Sequence, residues 1–355
     1  MSSTSSSQPS QGSAAANPTQ YDQIGQSYES MKRVPGSLLE RNNLRDAIVP
    51  FLTLRPGSSE HGNSGAGAGA GGDGGAGISV LDLACGTGFY SRLVLEWAST
   101  SSSPVRRVVG MDISPTMVAA AERSSENLDA FRQGRLKFAV GDATKPLPRE
   151  IFSDDPNNTS PSSSSSSNKF DVVLGAWLLN YAPSTQAMTD MFANISASLR
   201  PGGHFVGVTP HPAWDLDGFA ALHADQAEIL RRFGVAVSYV SPLASGEGYH
   251  TRVTARVVAS QAQSQSQSQP AAALPSQQQH HVQQSVDEIS FENFHLRRQC
   301  YETAARAGGM RGALKWVAVD LPRTDEESLR EYGVGIDYWD GCEERPHFGV
   351  LVVQK

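Results

Sequence analysis

The chain has 355 residues and a formal charge of −7, a balance that supplies no basic surface for nucleic acid. No apolar run reaches the roughly 18 residues needed to cross a bilayer, and the first residues lack the charged-then-apolar pattern of a secretory signal. Cys85, Cys300 and Cys342 have no metal-ligand spacing and read as free thiols of a reducing, cytoplasmic compartment.

Four stretches carry too little apolar surface to offset the entropy of ordering them. They are Ser/Gln-rich 1–18, Gly/Ala/Ser-rich 57–77, the serine run 153–168 and Gln/Ser-rich 259–284. They read as a disordered tail and three disordered insertions in one domain over 19–355. The remaining residues, roughly 270, suffice for one α/β domain with an elaboration.

Tyr21 and Tyr28 are seven apart, so on a helix they share one face. Leu38, Leu39, Leu44 and Ile48 then recur at helical spacing and predict a helix over 37–49, which Pro50 ends or kinks. Short apolar runs at 79–83, 107–112, 137–140, 170–174 and 204–209 read as strands. Helical patterns at 90–98, 115–127 and 186–199 lie between them, and this alternation predicts a parallel sheet with right-handed crossovers. Leu199-Arg200-Pro201-Gly202-Gly203 ends the third of these helices with a glycine cap before the fifth strand.

Residues 211–295 break the alternation. Segments 235–240, 249–258 and 286–294 have β-like composition and predict a small antiparallel cap inserted after the fifth strand. That point lies at the carboxyl edge of the sheet, where open α/β folds bind ligands. Trp214, Phe219, Phe233, Tyr239 and Tyr249 would line an apolar pocket there. A helix around 298–307 and antiparallel strands at 313–320 and 348–354 close the chain.

The most informative segment is 78–91. An apolar strand carries Asp82 near its end, turns through Ala84-Cys85-Gly86-Thr87-Gly88 and opens a helix. The glycines let backbone approach a ligand where a Cβ would clash. A dinucleotide fingerprint needs a third glycine where Ser91 stands. The Asp82 carboxylate would also repel phosphates, but it suits a ligand carrying an ammonium and a sulfonium. Asp112 ends the next strand, where a carboxylate can accept both hydroxyls of a ribose, with Ile113 against an adenine face. Ser114 is the better N-cap for the helix opening at Pro115, which frees Asp112. Asp142, in Gly141-Asp142-Ala143-Thr144, can accept from an adenine amine while the Ala143 backbone N–H reaches a ring nitrogen. Read alone, that pair is an ordinary turn. Gly175 and Ala176 are small, as a close backbone approach requires; Asp171 reads as structural, and Trp177, Leu178 and Tyr181 as core.

Taken in order, the segments DLACGTG, VGMDIS, GDAT, FDVVLGAWLLNYA and LRPGGHFVGV resemble the class I S-adenosylmethionine-dependent methyltransferases over about 79–209. The resemblance implies a Rossmann-like seven-stranded sheet with helices on both faces, and S-adenosyl-L-methionine as cofactor. It places Asp82, Ala84, Gly86 and Gly88 around the methionine moiety, Asp112 on the ribose, Asp142 on the adenine, and Gly175 and Ala176 beside the cofactor. Ala84 stands where many members have glycine. Tyr21 to Tyr28 look like the Tyr-Asp-x-x-Ala-x-x-Tyr helix of small-molecule members, whose tyrosines fold over the cofactor, although Gly25 replaces the alanine. Packing onto the sheet is the other reading of those tyrosines.

Methyl transfer needs nucleophile, methyl and sulfur held in line in a dry pocket, and a base only for a poorly ionised acceptor. His211 follows the fifth strand directly and is the candidate base. His204 reads as structural, and the sequence does not choose among His223, His250 and His295. The fourth strand ends without the carboxylate that a magnesium-dependent catechol enzyme needs, so no metal is expected. The expected acceptor is a small molecule, an oxygen of a secondary metabolite, with no nucleic acid or membrane partner. N-methylation, a NAD-type oxidoreductase and a non-catalytic cofactor-binding regulator are the alternatives.

Overall fold

The computed structural model describes residues 19–24, 27–53, 77–99, 105–148, 151, 169–258 and 286–355. The tail and the three low-complexity insertions lie outside the described residues, apart from Gly77. Strands β1 (Ile78–Leu83), β2 (Val105–Asp112), β3 (Leu136–Val140), β4 (Phe170–Ala176) and β5 (Leu199–Pro210) are parallel. The cap strands are β6 (Val235–Pro242), β7 (Gly248–Val258) and β8 (Val286–Leu296), followed by β9 (Leu314–Val317) and β10 (Phe348–Gln354). The main sheet has seven strands in the order β3-β2-β1-β4-β5-β10-β9, with β10 antiparallel to both neighbours. The chain steps outward from β1 to β3 and then returns to β4 on the other side of β1. That reversal opens a crevice at the carboxyl ends of β1 and β4.

Every residue of β1 and β4 is buried, as parallel strands covered on both faces must be. Helices α1 (Gln20–Ile24), α2 (Ser27–Met31) and α3 (Pro35–Thr53) precede β1. They are followed by α4 (Phe89–Ser99), α5 (Pro115–Ser125), α6 (Asp129–Arg132) and α7 (Thr185–Ser198). After the fifth strand come α8 (Leu216–Ala221), α9 (Gln226–Phe233), α10 (Arg298–Ala307) and α11 (Glu326–Tyr332). Two apolar layers sandwich the sheet. One gathers Leu44 and Ile48 of α3, Val94 of α4, Val206 and Val350. The other gathers Leu81, Met188 and Phe192 of α7, Tyr301 of α10 and Leu351. The adjacent Val350 and Leu351 fall in opposite layers, as the twofold period of a strand dictates. No helix among the described residues is long and apolar enough to cross a membrane.

Two expectations are corrected and a third is extended. Helix α3 runs through Pro50 to Thr53. The proline removes one helical N–H, but Leu52 is fully buried, and the Thr53 hydroxyl donates to the Pro50 carbonyl at 3.0 Å. Helix α7 has no glycine cap: its C-cap is Leu199 in extended conformation, and Gly202, at φ +76°, serves a bend inside β5. The cap has the expected antiparallel strands and two helices besides. Helices α8 and α9 precede its three-stranded antiparallel sheet, and the Asp215 and Asp225 carboxylates cap them by accepting from the backbone of Gly218 and Glu228. Asp225-x-x-Glu228 is a capping-box pattern that could have revealed α9.

Two glycines with the same backbone separate packing from conformation. Gly88 has φ +76°, and a Cβ there would lie 2.8 Å from Phe138 and 3.0 Å from Ala121; Gly202 has φ +76° with nothing within 4 Å. Urea unfolding should show a loss of about 1 kcal/mol for Gly202→Ala, from backbone strain alone. It should show about 2–4 kcal/mol for Gly88→Ala, where overpacking adds to the strain. Equal losses would contradict the close packing behind the bend.

Candidate active site

The bend after β1 is built from left-handed backbone. Ala84, Gly86 and Gly88 have φ of 59°, 54° and 76°. The Cys85 N–H donates to the Met111 carbonyl at 3.0 Å, which fixes the bend against the end of β2. Asp82 is completely buried beneath it. Its Oδ2 accepts from the Ser91 hydroxyl at 2.6 Å, and its Oδ1 is buried with no partner. Burial pushes this carboxyl up to about 7; the Ser91 hydrogen bond opposes the shift and nearby Asp112 adds to it. Ser91, which stands where a dinucleotide fold has glycine, is therefore the donor that orients Asp82.

Asp112 ends β2 and is also buried. Its Oδ2 accepts from the Gly86 N–H at 2.8 Å and its Oδ1 from the Ser114 N–H at 2.9 Å. Each oxygen keeps a lone pair for a further donor. Burial raises this carboxyl, against the two backbone hydrogen bonds. Ser114 is the N-cap of α5, accepting from the Met117 N–H, as expected. Its hydroxyl also donates to Asp22, which ties α1 to the end of β2. Ile113 is half exposed beside Asp112.

Asp142 follows β3 and turns inward on its own loop. Its Oδ1 accepts from the Thr144 N–H at 2.9 Å and the Thr144 hydroxyl at 2.6 Å, and its Oδ2 lies 3.1 Å from Lys145 Nζ. Partial burial raises the carboxyl, but these bonds outweigh it and hold the group below the usual range. The Ala143 carbonyl accepts from the Asn194 side chain at 2.7 Å. Gly175 and Ala176 end β4 in the core. The Cβ that Gly175 lacks would meet the Phe205 ring at 2.8 Å, so packing alone requires glycine there. The expected residues of β1 and β2 thus converge, while Asp142 and Ala143 lie one strand further out.

Tyr21 and Tyr28 stand on separate short helices, and their rings meet edge to face at 5.7 Å. Tyr21 also packs against Tyr181 and against Phe291 of the cap. A Cβ on Gly86 would lie 4.0 Å from the Tyr28 ring, so Tyr28 covers the bend. Its phenol is raised by burial.

Tyr28 is also one wall of a cavity of about 740 Å³ between the sheet edge, the cap and the β9–β10 connection. Trp177, Tyr181, His211, Phe219, His223, Tyr239 and His295 line it. Trp177 and Tyr181, expected in the core, pack against it and also line this cavity; Trp177 holds φ +64°, a rare strain for a bulky residue. Tyr249, expected in the lining, packs behind Tyr239 and donates to Asp217. His211 stacks on Phe219 at 5.2 Å, and burial holds its imidazole below the ordinary value. His204 stacks on Phe51, and His250 pairs with Glu292, so neither reaches the cavity wall. Asn180, which the sequence gave no reason to single out, lines the cavity at 1% exposure with its Oδ1 unpartnered.

Residues 75–241 match the family model for a methyltransferase domain. Among solved structures, the chain is similar to the CcbJ methyltransferase from Streptomyces caelestis, at 14% identity over 95% of this chain and 97% of that one, with a TM-score of 0.48. It is also similar to S-adenosylmethionine-dependent methyltransferases from Mesorhizobium loti (15% identity, 79% and 92% covered, TM-score 0.40) and Clostridium acetobutylicum (12%, 78% and 83%, 0.42). The match makes residues 75–241 a methyltransferase domain, and the seven-stranded sheet is completed by β9 and β10 beyond it. The chain thus carries a methyltransferase domain, and S-adenosylmethionine is the expected cofactor.

The buried histidines give a pH signature. Burial lowers His295 to about 3, while the unfolded chain binds its proton near 6.5. Between those values the unfolded state holds a proton that the native state lacks, so His295 costs stability as pH falls below 6.5. Urea unfolding between pH 5.5 and 4.5 should give His295→Gln a pH slope about 1.4 kcal/mol per unit smaller than that of the wild type. An unchanged slope would mean that His295 is charged in the native protein.

Proposed function

We propose that the enzyme methylates an oxygen of a small-molecule acceptor of the secondary-metabolite kind, bound in the cavity under the cap. The observation that carries this reading is that cavity itself, about 740 Å³ and rich in aromatic and histidine side chains. It shares the wall Tyr28 with the glycine bend. A volume of this size suits a compact organic molecule.

The residues present fit the cofactor. The unpartnered Oδ1 of Asp82 is a buried acceptor suited to an ammonium, and the bend at Ala84, Gly86 and Gly88 offers backbone with no Cβ at its two glycines. The spare lone pairs of Asp112 suit the two ribose hydroxyls, with Ile113 exposed for an adenine face. Asp142 and Ala143 would meet the far side of the base, and Gly175 and Ala176 bound the floor. When bound, the cofactor supplies a methyl group on a positively charged sulfur with a neutral leaving group.

The protein's own part is to orient the acceptor, exclude water and manage one proton. Tyr21, Tyr28 and Phe291 close the N-terminal side of the site against solvent. His211, at the end of β5, is the group proposed to take the hydroxyl proton; its burial keeps it neutral and able to accept at pH 7. Residues 259–285 join the paired ends Val258 and Val286, and the proposal treats them as a linker without a role in transfer.

Tritiated methyl transfer from S-adenosylmethionine into small-molecule extract tests the activity; label found only in protein or nucleic acid would contradict the acceptor class. Calorimetry tests the pocket. Asp112→Ala should bind S-adenosylmethionine about a hundredfold more weakly, because two hydrogen bonds to a carboxylate are lost. Wild-type affinity in that variant would remove Asp112 from the site.

A further inference from the structure

His295 is 2% exposed and has both ring nitrogens engaged. Its Nε2 lies 2.8 Å from the carbonyl oxygen of His211, and its Nδ1 lies 2.8 Å from the Tyr239 hydroxyl. A carbonyl oxygen only accepts, so Nε2 carries a hydrogen. A buried neutral imidazole has one such hydrogen, which leaves Nδ1 bare and makes the Tyr239 hydroxyl its donor. Among the described residues no other group hydrogen-bonds to the Tyr239 oxygen. That oxygen therefore has its proton committed and its lone pairs free, and Tyr239 and His295 both line the cavity. Tyr249 packs edge-on against the Tyr239 ring at 5.4 Å and His223 lies 5.5 Å away, so the ring is held in place.

The rest of the lining is uncharged, already paired or, at two carboxylates, exposed to solvent. Lys32 pairs with Glu40 at 3.1 Å and Arg298 with Glu302 at 2.8 Å. The carboxylates of Asp320 and Glu343 belong to exposed residues. Thr251 donates to the side-chain oxygen of Asn293, and Asn180 keeps its buried oxygen free. Burying an ammonium or carboxylate without an opposite charge is costly, so such a cavity selects against charged ligands. Trp177, Phe219 and Phe291 offer flat apolar surface instead.

We propose that Tyr239, locked by His295, accepts a hydrogen bond from a hydroxyl of the acceptor other than the one that gives its proton to His211, and that the acceptor is an uncharged aromatic compound carrying that hydroxyl. This rests on the methyltransferase reading of the adjoining site and narrows its acceptor. A phenol can donate to Tyr239. A carboxylate has no proton to give, and an unsubstituted ring makes no polar contact.

The test uses the full-length protein saturated with S-adenosylhomocysteine and three probes: 2-naphthol, naphthalene and 2-naphthoate. Calorimetry should rank 2-naphthol tightest in the wild type. In Tyr239→Phe, 2-naphthol should weaken about tenfold, to the level of naphthalene, while naphthalene itself is unchanged. Unchanged S-adenosylhomocysteine affinity shows that this variant is folded. Preference for 2-naphthoate, no binding of 2-naphthol, or equal 2-naphthol affinity in Tyr239→Phe would each overturn the proposal. Failure of the wild type to bind S-adenosylhomocysteine would instead strike the cofactor reading, so the two failures are distinct.

Discussion

A buried carboxylate with one unsatisfied oxygen is the constraint on which the site depends. Asp82 lies at the centre of the sheet, where β1 is flanked by β2 and β4, and no solvent reaches it. Burying an acid there is costly, and the fold lowers the cost only partly, through the Ser91 hydroxyl. The remaining oxygen is an acceptor held in readiness under a left-handed bend. Asp112 differs: two backbone N–H groups from the bend and from α5 hold its oxygens in register. The proposed function assigns the first carboxylate to a cation and the second to paired hydroxyls.

Much of the sheet was legible because the physics there is local. Central parallel strands are buried on both faces, so 79–83 and 170–174 read as short, largely apolar runs. Ser114 announced itself as a cap by its position before Pro115, and that assignment left Asp112 for other work. The cap strands were visible in their β-branched and aromatic composition. Helices of six to eight residues, such as α8 and α9, were hidden by their length, since so few turns give little periodicity.

The polar interior of the cavity was not legible. The contact between His211 and His295 spans 84 positions and that between Tyr239 and His295 spans 56. Neither leaves a trace in local composition. Asn180 reads as one more residue of a turn until its side-chain oxygen is found buried without a partner. Trp177 reads as core because it is aromatic and follows an apolar strand; it packs against the core and also lines the cavity, on a left-handed backbone that the sequence does not announce. Ser91 was read as a missing glycine, and only the fold shows that it positions Asp82.

The central claim is that a buried, partly protonated Asp82 receives the ammonium of S-adenosylmethionine. Calorimetry of S-adenosylmethionine binding at pH 7, in two buffers of different ionisation enthalpy, measures it most directly. The account predicts one equivalent bound with proton release, and an affinity that falls several-fold from pH 7 to pH 6 as the carboxyl, near 7 when free, holds its proton. Binding with no proton release and no pH dependence, or no binding at all, would contradict it.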